Sequence, residues 1–358
     1  MAAIAALGEP RRVGEREATE ERMAATRIAI IGAGRIGRVH GANVAAHGDL
    51  TLVAVCDALA PAAQALADAH GARAMTNAAE AIAAADAVMI CSPTDTHADL
   101  VEAAARAGRP VFCEKPVDLD ADRIRRCLAA VRAAGAPLMI GFNRRFDPSF
   151  AEVRRRIAAG DIGQVELVTI ISKDPAPPPP AYVARSGGLF RDMMIHDLDM
   201  ARFLLGEEPV SVRAVGAALV DPAIGAAGDV DTAAVLLQTA SGRIAAITNS
   251  RRAAYGYDQR IEAHGALGML EAGNRRATTV TLASAAGYAA EPALPFFLER
   301  YAEAYRAELA HFAAVVREGA SPSPNGDDGL RAQLLADAAT EAWRSGETVA
   351  ADADAAAA

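Results

Sequence analysis

Three polar residues near the middle of the chain have the types and spacing that proton transfer requires. Asp192, His196 and Asp199 occur at positions i, i+4 and i+7 of the segment DMMIHDLDMARFLL, which places them on one face of a helix predicted over residues 192–205. An imidazole with an ordinary pKa of about 6.5 can accept a proton near neutral pH. We therefore predict His196 as a general base, and an ordinary solvated helix face is the alternative. One helix face rarely supplies every ligand of a metal ion, so we predict no metal here.

A glycine-rich segment near the start of the chain has the spacing of a dinucleotide-binding turn. GAGRIG, residues 32–37, follows an apolar strand-like run and opens a helical pattern, a context in which backbone N–H groups can face a pyrophosphate. Asp57 ends the next apolar run, where a carboxylate accepts hydrogen bonds from ribose hydroxyls and repels a 2′-phosphate. We predict NAD as the cofactor, and a glycine-rich turn that binds something else is the alternative.

A lysine stands where a strand-like run ends. The segment PVFCEKP places Lys115 between Glu114 and Pro116, and ligands of open parallel sheets bind beyond the carboxyl ends of the strands. Lys115 is therefore predicted to reach a substrate oxygen. A lysine partly desolvated beside a cationic nicotinamide would shift toward its neutral form and could exchange a proton. A solvated lysine paired with Glu114 is the alternative.

The elements that would position these residues alternate between strand and helix in the first part of the chain. Short apolar runs recur as RIAIIGAG, TLVAVCD, AVMICSP, PVFCEKP and PLMIGFN, with Ala-rich helical patterns between them. Strands that are apolar along their whole length are typical of a parallel sheet covered by helices on both faces. We predict an α/β class with a doubly wound Rossmann domain over residues 27–146.

The remaining runs predict a second, α+β domain over residues 147–350. QVELVTIIS, SVRAVGAAL, TAAVLLQT and GRIAAITNS follow one another with short turns, and Ser241-Gly242 suits a hairpin. This pattern indicates an open, largely antiparallel sheet that the helix over 192–205 interrupts. Helical patterns over 299–317 and 329–345 close the domain. Residues 1–26 are predicted to be a disordered extension and 351–358 a frayed tail.

Composition and charge exclude several classes of protein. Hydrophobic residues make up 52% and charged residues 23% of the chain, and no apolar run reaches the roughly 18 residues that a membrane-spanning helix needs. The net charge of -9 repels a phosphate backbone, so a nucleic-acid partner is not expected. The four cysteines lack zinc or C-x-x-C spacing. They are predicted to be reduced and mostly buried, which favours a cytoplasmic protein.

Longer segments resemble the glucose-fructose oxidoreductase and inositol dehydrogenase family, often called Gfo/Idh/MocA, over about residues 27–345. They are IAIIGAGRIGRVH, ICSPTDTHADLVEAAARAGRPVFCEKP, GFNRRFDPSF, SGGLFRDMMIHDLDMARFLLGEEP and YGYDQR. EKP together with D-x-x-x-H-D-x-D is more specific than the glycine motif, and the set most resembles the inositol 2-dehydrogenase branch. The resemblance implies a Rossmann domain followed by an α+β domain whose open sheet forms a homo-oligomer, a dimer or a homotetramer.

The resemblance also implies roles for individual side chains. The EKP lysine, the helix aspartate and the histidine four residues later act on the oxidised hydroxyl in that family, so Lys115, Asp192 and His196 are the predicted catalytic residues. The predicted cofactor-binding residues are Gly32, Gly34, Arg35, Ile36, Gly37, Asp57, Ser92, Thr94, His97, Glu114 and Lys115. The predicted substrate-binding residues are Lys115, Asn143, Arg144, Asp174, Asp192, His196, Asp199 and Tyr257. Lys173-Asp174 and Asn143 differ from some inositol enzymes, which leaves the preferred stereoisomer open.

Together these residues predict the NAD-dependent oxidation of a secondary hydroxyl of a cyclic polyol. The resemblance implies myo-inositol as substrate and 2-keto-myo-inositol (scyllo-inosose) as product, in inositol catabolism. The same chemistry on scyllo-inositol or an aldose is an alternative. A non-catalytic NAD-binding regulator is an alternative of another class, and the joint presence of Lys115, Asp192 and His196 favours the enzyme.

Overall fold

The computed structural model describes residues 25–351 of the 358-residue chain. The predicted disordered extension and frayed tail lie almost entirely outside the described residues, so both stay predictions.

The first part of the chain alternates strand and helix, as the apolar runs predicted. Its elements are β1 (Thr26–Ile31), α1 (Arg35–Ala46), β2 (Leu50–Cys56), α2 (Ala60–His70), β3 (Arg73–Met75), α3 (Ala78–Ala84), β4 (Ala87–Ile90), α4 (His97–Arg106), β5 (Val111–Glu114), α5 (Ala121–Ala134) and β6 (Leu138–Gly141). The strands are all parallel and lie in the order β3-β2-β1-β4-β5-β6. The doubly wound prediction is confirmed, and only β3, at three residues, is too short to show in the apolar pattern.

The second part forms one mixed sheet with helices on one side. Its elements are α6 (Pro148–Ala158), β7 (Val165–Lys173), α7 (Pro180–Ser186), α8 (Gly188–Asp192), α9 (Ile195–Leu205), β8 (Pro209–Ala217), α10 (Pro222–Ala226), β9 (Thr232–Thr239), β10 (Ile244–Ser250), β11 (Asp258–Gly265), β12 (Gly268–Ala272), β13 (Thr281–Ser284), β14 (Gly287–Ala290), α11 (Phe297–Arg300), α12 (Ala302–Glu318), α13 (Gly326–Ser345) and β15 (Val349–Ala350).

The seven-stranded sheet has the order β12-β11-β7-β10-β9-β8-β15. β7 and β10 run parallel and every other neighbouring pair is antiparallel, so the prediction of a largely antiparallel sheet is confirmed. The predicted hairpin joins β9 to β10, and Gly242 has the positive φ of +91° that its turn requires. β13 and β14 form a separate exposed ribbon.

Alternate residues of the parallel strands point into two separate cores. Ile28 and Ile30 pack with α1 and α2, whereas Ala29 and Ile31 pack with α3, α4 and α5. Two helices from the end of the chain complete these layers. Phe312 of α12 joins the first core and Leu330 of α13 joins the second. The two halves of the sequence are therefore tied together through the faces of the first sheet.

The prediction of a single helix over residues 192–205 is wrong. α8 ends at Asp192 and α9 begins at Ile195. The reason is a change in backbone hydrogen bonding between them, since the N–H groups of Met193 and Met194 both donate to the carbonyl oxygen of Leu189, at 3.0 and 2.9 Å. One acceptor shared by two successive donors interrupts the regular i to i−4 ladder of a helix. Asp192 and His196 thus project from two helical pieces.

Candidate active site

The turn between β1 and α1 is tightly packed against backbone at Gly32 and Gly37 and is open at Gly34. A Cβ at Gly32, whose φ is +105°, would lie 2.4 Å from the backbone nitrogen of Ser92, and a Cβ at Gly37 would lie 1.9 Å from the carbonyl oxygen of Gly32. Among the described residues, no atom lies within 4 Å of a Cβ placed at Gly34. No side chain of those residues caps α1, and its first turn carries no acidic residue, so its amides are open to an anion.

Asp57 follows β2 and supports this turn. The N–H of Ala33 donates to its Oδ2 at 2.7 Å and the N–H of Leu59 donates to its Oδ1 at 2.8 Å. Since an ionised carboxylate can accept about four hydrogen bonds, capacity remains for ribose hydroxyls. The adjacent Ala58 and Leu59 offer no cation for a 2′-phosphate. The turn and Asp57 together fit NAD.

The side chains predicted to bind cofactor at the ends of β4 and β5 make contacts within the protein. His97 is buried, with Nδ1 2.7 Å from the carbonyl oxygen of Pro116 and Nε2 2.8 Å from that of Ser92. Glu114 accepts from Nε2 of the buried His40 at 2.7 Å. Thr94 lies half-buried in a short 3-10 turn. Cofactor contacts of these side chains therefore stay predictions, and the structure gives His97 a role in joining two loops.

Lys115, Asp192 and His196 lie beyond the carboxyl end of β5. Nζ of Lys115 donates to the carbonyl oxygen of Asp192 at 2.7 Å and lies 3.5 Å from Oδ1 of the same residue. Burial, with the positive charges of Lys115 and Arg144, holds the pKa of His196 well below its ordinary value of 6.5. Nδ1 of His196 is buried and has no hydrogen-bond partner among the described residues. At neutral pH His196 is consequently an uncharged imidazole, the form that accepts a proton.

Two residues that the sequence did not single out complete the surroundings of Asp192. The hydroxyl of Tyr182 donates to Oδ1 at 3.0 Å, and Nη2 of Arg251 donates to Oδ2 at 3.2 Å. Burial opposes ionisation of Asp192, but Lys115, Arg251 and Tyr182 outweigh it and hold the pKa of Asp192 below its ordinary value. Asp192 is therefore a carboxylate that orients Lys115. The only sequence signal was position, because Arg251 directly follows a strand and precedes YGYDQR.

Asp174 and Asn143, both predicted to bind substrate, stand near this group. Burial raises the pKa of Asp174 to about 6 against the opposing charges of Arg251 and Arg144, and Nη1 of Arg251 lies 3.4 Å from its Oδ2. Asn143 is buried and its Nδ2 has no partner among the described residues. An orphaned buried amide costs free energy unless a ligand or water satisfies it, which fits a polar substrate.

Arg144 and Tyr257 form the buried floor beside these residues. Arg144 donates to the carboxylate of Asp197 and, at 3.2 Å, to the hydroxyl of Ser172. Tyr257 packs edge-on against Phe296 and Tyr301, and burial raises the pKa of its hydroxyl well above the ordinary value. Direct contacts of Arg144 and Tyr257 with substrate stay predictions.

Asp199 is predicted to share one helix face with Asp192 and His196 and to bind substrate, but its surroundings differ from theirs. Its side chain does not face a cleft, because Arg145 holds both carboxylate oxygens at 2.8 and 2.5 Å and Arg202 adds a contact at 3.4 Å. Only 1% of Asp199 is exposed. A buried carboxylate needs such cationic partners to remain charged. Its contact with a ring hydroxyl stays a prediction that this ion-pair cluster does not favour.

Two further properties of residues 25–351 bear on the site. They contain no cluster of three or more His, Cys, Asp or Glu side chains arranged to hold a metal ion. None of the helices described there is long and apolar enough to cross a membrane.

Comparison with known proteins matches both halves of the chain. The oxidoreductase-family model for the NAD-binding Rossmann fold of Gfo/Idh/MocA proteins matches residues 26–142, and the Gfo/Idh/MocA C-terminal domain model matches residues 150–271. The inositol 2-dehydrogenase of Rhizobium meliloti is 57% identical over 314 residues, which cover 87% of this chain and 95% of that protein. This chain belongs to the Gfo/Idh/MocA oxidoreductase family.

Solved structures of inositol dehydrogenases share the fold over 91% of this chain. A myo-inositol dehydrogenase from Corynebacterium glutamicum is similar with a TM-score of 0.88 and 48% identity, covering 91% of this chain and 98% of that one. A scyllo-inositol dehydrogenase from Lactobacillus casei, solved with bound NAD(H) and scyllo-inositol, is similar with a TM-score of 0.86 and 30% identity. The match covers 91% of this chain and 99% of that one. The predicted family, enzyme class and NAD cofactor are confirmed, and the Gfo/Idh/MocA fold brings the EKP lysine to the predicted aspartate and histidine.

Proposed function

We propose that this oxidoreductase uses NAD to oxidise a secondary hydroxyl of a cyclic polyol, and that its substrate is myo-inositol, which becomes 2-keto-myo-inositol. The observation that carries the proposal is the meeting of Lys115 with Asp192 beside a neutral His196, at the sheet edge that also holds the glycine turn. The similarity to an inositol 2-dehydrogenase from Rhizobium meliloti supports an inositol as substrate, and the similarity to a myo-inositol dehydrogenase from Corynebacterium glutamicum supports the myo isomer.

The glycine turn would hold the pyrophosphate of NAD and Asp57 its adenosine ribose. NAD supplies the hydride acceptor when it is bound, and the protein handles the proton. Because Nδ1 of His196 is buried, Nε2 is the nitrogen that can accept the proton of the substrate hydroxyl. The Lys115 ammonium donates a hydrogen bond to the same oxygen and stabilises its growing negative charge. Asp192 fixes Lys115 through its carbonyl and carboxylate oxygens.

Scyllo-inositol is the second candidate substrate, and an aldose is a third. The relative from Lactobacillus casei binds scyllo-inositol and shares the fold over 91% of this chain. A non-catalytic regulator is disfavoured, because NAD binding alone does not require an uncharged histidine beside Lys115 and Asp192.

The test is reduction of NAD, followed by the absorbance of the reduced cofactor, with myo-inositol, scyllo-inositol and glucose, each with NAD and with NADP. We expect the highest kcat/KM for myo-inositol with NAD. Preference for scyllo-inositol or glucose would replace the substrate and keep the mechanism. Binding of NAD without turnover of any of a broad set of polyols would contradict the enzyme proposal.

We further infer that the chain forms a homo-oligomer, a dimer or tetramer, through the outer face of the seven-stranded sheet. That face exposes several large apolar side chains, namely Leu167, Val215, Leu236, Ile244 and Met269. Exposed apolar side chains gathered on one face of a sheet favour an interface. Sedimentation of the purified protein as a monomer would contradict this inference. Cytoplasmic residence stays a prediction, which the four free, buried cysteines support.

A further inference from the structure

Arg251 joins two carboxylates that come from different parts of the fold. Its Nη2 lies 3.2 Å from Oδ2 of Asp192 and its Nη1 lies 3.4 Å from Oδ2 of Asp174, and only 3% of its surface is exposed. Asp192 ends α8, Asp174 follows β7 and Arg251 follows β10. A single guanidinium therefore bridges the helical piece that carries Asp192 and the edge of the second sheet.

The backbone holds Arg251 in this place independently of its side chain. β7 and β10 are parallel neighbours, with Ser250 opposite Lys173, so Asp174 and Arg251 leave the same edge of the sheet. The N–H of Asp174 donates to the carbonyl oxygen of Ser250 at 2.9 Å, and the N–H of Arg251 donates to that of Asp231 at 2.8 Å. Backbone hydrogen bonds at the edge of the second sheet thus fix where the side chain of Arg251 begins.

We propose that Arg251 is a positioning residue for the oxidation, which keeps Asp192 and Asp174 ionised and oriented toward Lys115 and the substrate. This inference rests on the proposed function for its link to turnover. Arg251 acts through the two aspartates and needs no contact with the reacting hydroxyl.

The distribution of partners on Asp192 explains why Arg251 is needed. Oδ1 of Asp192 accepts a hydrogen bond from the hydroxyl of Tyr182 and lies 3.5 Å from Nζ of Lys115. Oδ2 accepts a hydrogen bond from Arg251. Without Arg251, Lys115 alone would neutralise a buried carboxylate. Loss of an opposite charge at such distances raises a carboxyl pKa by about one to three units. The protonated acid would hold Lys115 less tightly and would no longer balance its charge.

Asp174 is the more sensitive of the two carboxyls. Burial already raises its pKa to about 6, and Arg251 is the foremost of the charges that oppose that rise. The charged and titratable groups that face the Arg251 cluster are Arg35 from α1, Lys115 after β5, Arg144 after β6, Tyr182 from α7, His196 and Asp197 from α9, Asp229 before β9 and Tyr257 before β11. Arg251 is bonded to both aspartates, whereas Lys115 is bonded to Asp192 alone.

The experiment compares Arg251→Met, Arg251→Lys and the neighbouring exposed Arg252→Met with the wild type. We expect Arg251→Met to lower kcat for myo-inositol about tenfold or more, to leave NAD affinity within about twofold, and to move the acid limb of the kcat profile upward by about one pH unit. Arg251→Lys should restore part of kcat, since a point charge reaches one carboxylate but not both. Arg252→Met should behave as wild type.

A second measurement does not depend on activity. In carboxyl-carbon NMR titrations of protein labelled at aspartate, the resonance that disappears in Asp174→Asn should titrate near pH 6 in the wild type. The pKa obtained from this resonance should rise by about one unit or more in Arg251→Met and should be unchanged in Arg252→Met.

The outcomes separate this inference from the proposed function. A wild type that oxidises no polyol contradicts the proposed function, and the titration still decides whether Arg251 keeps Asp174 ionised. If the wild type is active and Arg251→Met has the same kcat, pH profile and Asp174 titration, the inference about Arg251 is overturned and the proposed function is not. If Arg251→Met does not fold, the test rests on Arg251→Lys. A wild-type kcat and pH profile in Arg251→Lys would overturn the bridge between two carboxylates. A lower kcat in that variant with NAD affinity retained would support the bridge.

Discussion

His196 shows how one side chain acquires the protonation state that its chemistry needs. The sequence places a histidine in a helical stretch, and its ordinary pKa of about 6.5 would leave it partly protonated near pH 6. Burial and the charges of Lys115 and Arg144 push that pKa well downward. Because a lowered pKa favours the neutral base, His196 should not limit activity as the pH falls through 6.5. Any acid limb near pH 6 belongs to the carboxyl side of the site.

We predict that His196→Ala lowers kcat for myo-inositol about 10²- to 10⁴-fold, which is the usual contribution of a positioned general base. NAD affinity should be retained, because the glycine turn and Asp57 lie on separate elements. Steady-state kinetics and calorimetric titration with NAD measure the two effects. His70→Ala at the end of α2 is the matched control and should keep wild-type turnover. A His196→Ala enzyme with normal kcat would remove this residue from the mechanism.

The residues that could be predicted at this scale are those whose chemistry is carried by a local motif. Lys115, Asp192 and His196 belong to segments that resemble the family, and the structure brings them together. Arg251 and Tyr182 have no such motif, since an arginine after a strand and a tyrosine after a proline run occur in many contexts. Their contact with Asp192 depends on how β10 and α7 are placed in space.

At the scale of elements, the turn from β1 to α1 uses its glycines for two different purposes. A Cβ at Gly37 would overlap the carbonyl oxygen of Gly32, whereas a Cβ at Gly34 would enter open space. Gly34 also has φ −70° and ψ −165°, a conformation that alanine adopts without strain. Gly37 thus serves the packing of α1, and Gly34 leaves room for a ligand.

We predict that alanine at Gly34 affects NAD binding, whereas alanine at Gly37 affects thermal stability. Gly34→Ala should keep the Tm of the wild type and weaken NAD binding about tenfold or more, since the methyl group enters the space into which the pyrophosphate comes. Gly37→Ala should lower the Tm by several degrees, because backbone must move to relieve the overlap. Scanning calorimetry gives Tm and calorimetric titration gives the NAD Kd. Wild-type NAD affinity in Gly34→Ala would contradict the assigned role of this turn.

Element boundaries were less predictable than element types. The apolar runs located the long strands, and residues 192–205 have helical periodicity throughout. The interruption at Met193 and Met194 depends on both amides sharing the carbonyl oxygen of Leu189. Both methionines are also buried in the core of the second domain, and periodicity along the chain reveals neither feature.

At the scale of the whole molecule, α12 links the two halves of the sequence and carries an unusual buried acid. Glu308 is fully buried, and neither carboxyl oxygen has a hydrogen-bond partner among the described residues. Burial and the neighbouring Glu114 raise the pKa of Glu308 well above 4.5. A carboxyl whose pKa is raised by folding stabilises the protein below its unfolded pKa, and this contribution is lost as the pH rises through the folded pKa.

We predict that Glu308→Gln raises the Tm at pH 8 by at least about 2–4 °C. Each unit by which folding raises the pKa of Glu308 lowers the free energy of unfolding by about 1.4 kcal/mol once the pH is above that range. The difference from wild type should shrink toward pH 5, where both side chains are neutral in the folded protein. Thermal unfolding at pH 5, 6.5 and 8 measures this trend. Glu318→Gln, exposed at the end of the same helix, should leave the Tm unchanged. A Glu308→Gln difference that does not vary with pH would contradict the assignment.

The sequence by itself determined the fold class, the cofactor turn, the choice of NAD and the three residues of the proposed chemistry. These features depend on local periodicity, on glycines at fixed spacing and on residue types within short motifs. Tertiary structure alone decided the state of each charge. Asp199 pairs with Arg145, Arg251 contacts Asp192, and Glu308 has no hydrogen-bond partner among residues 25–351. Burial and long-range contacts set the free energies of charged groups, and both arise only when distant segments pack together.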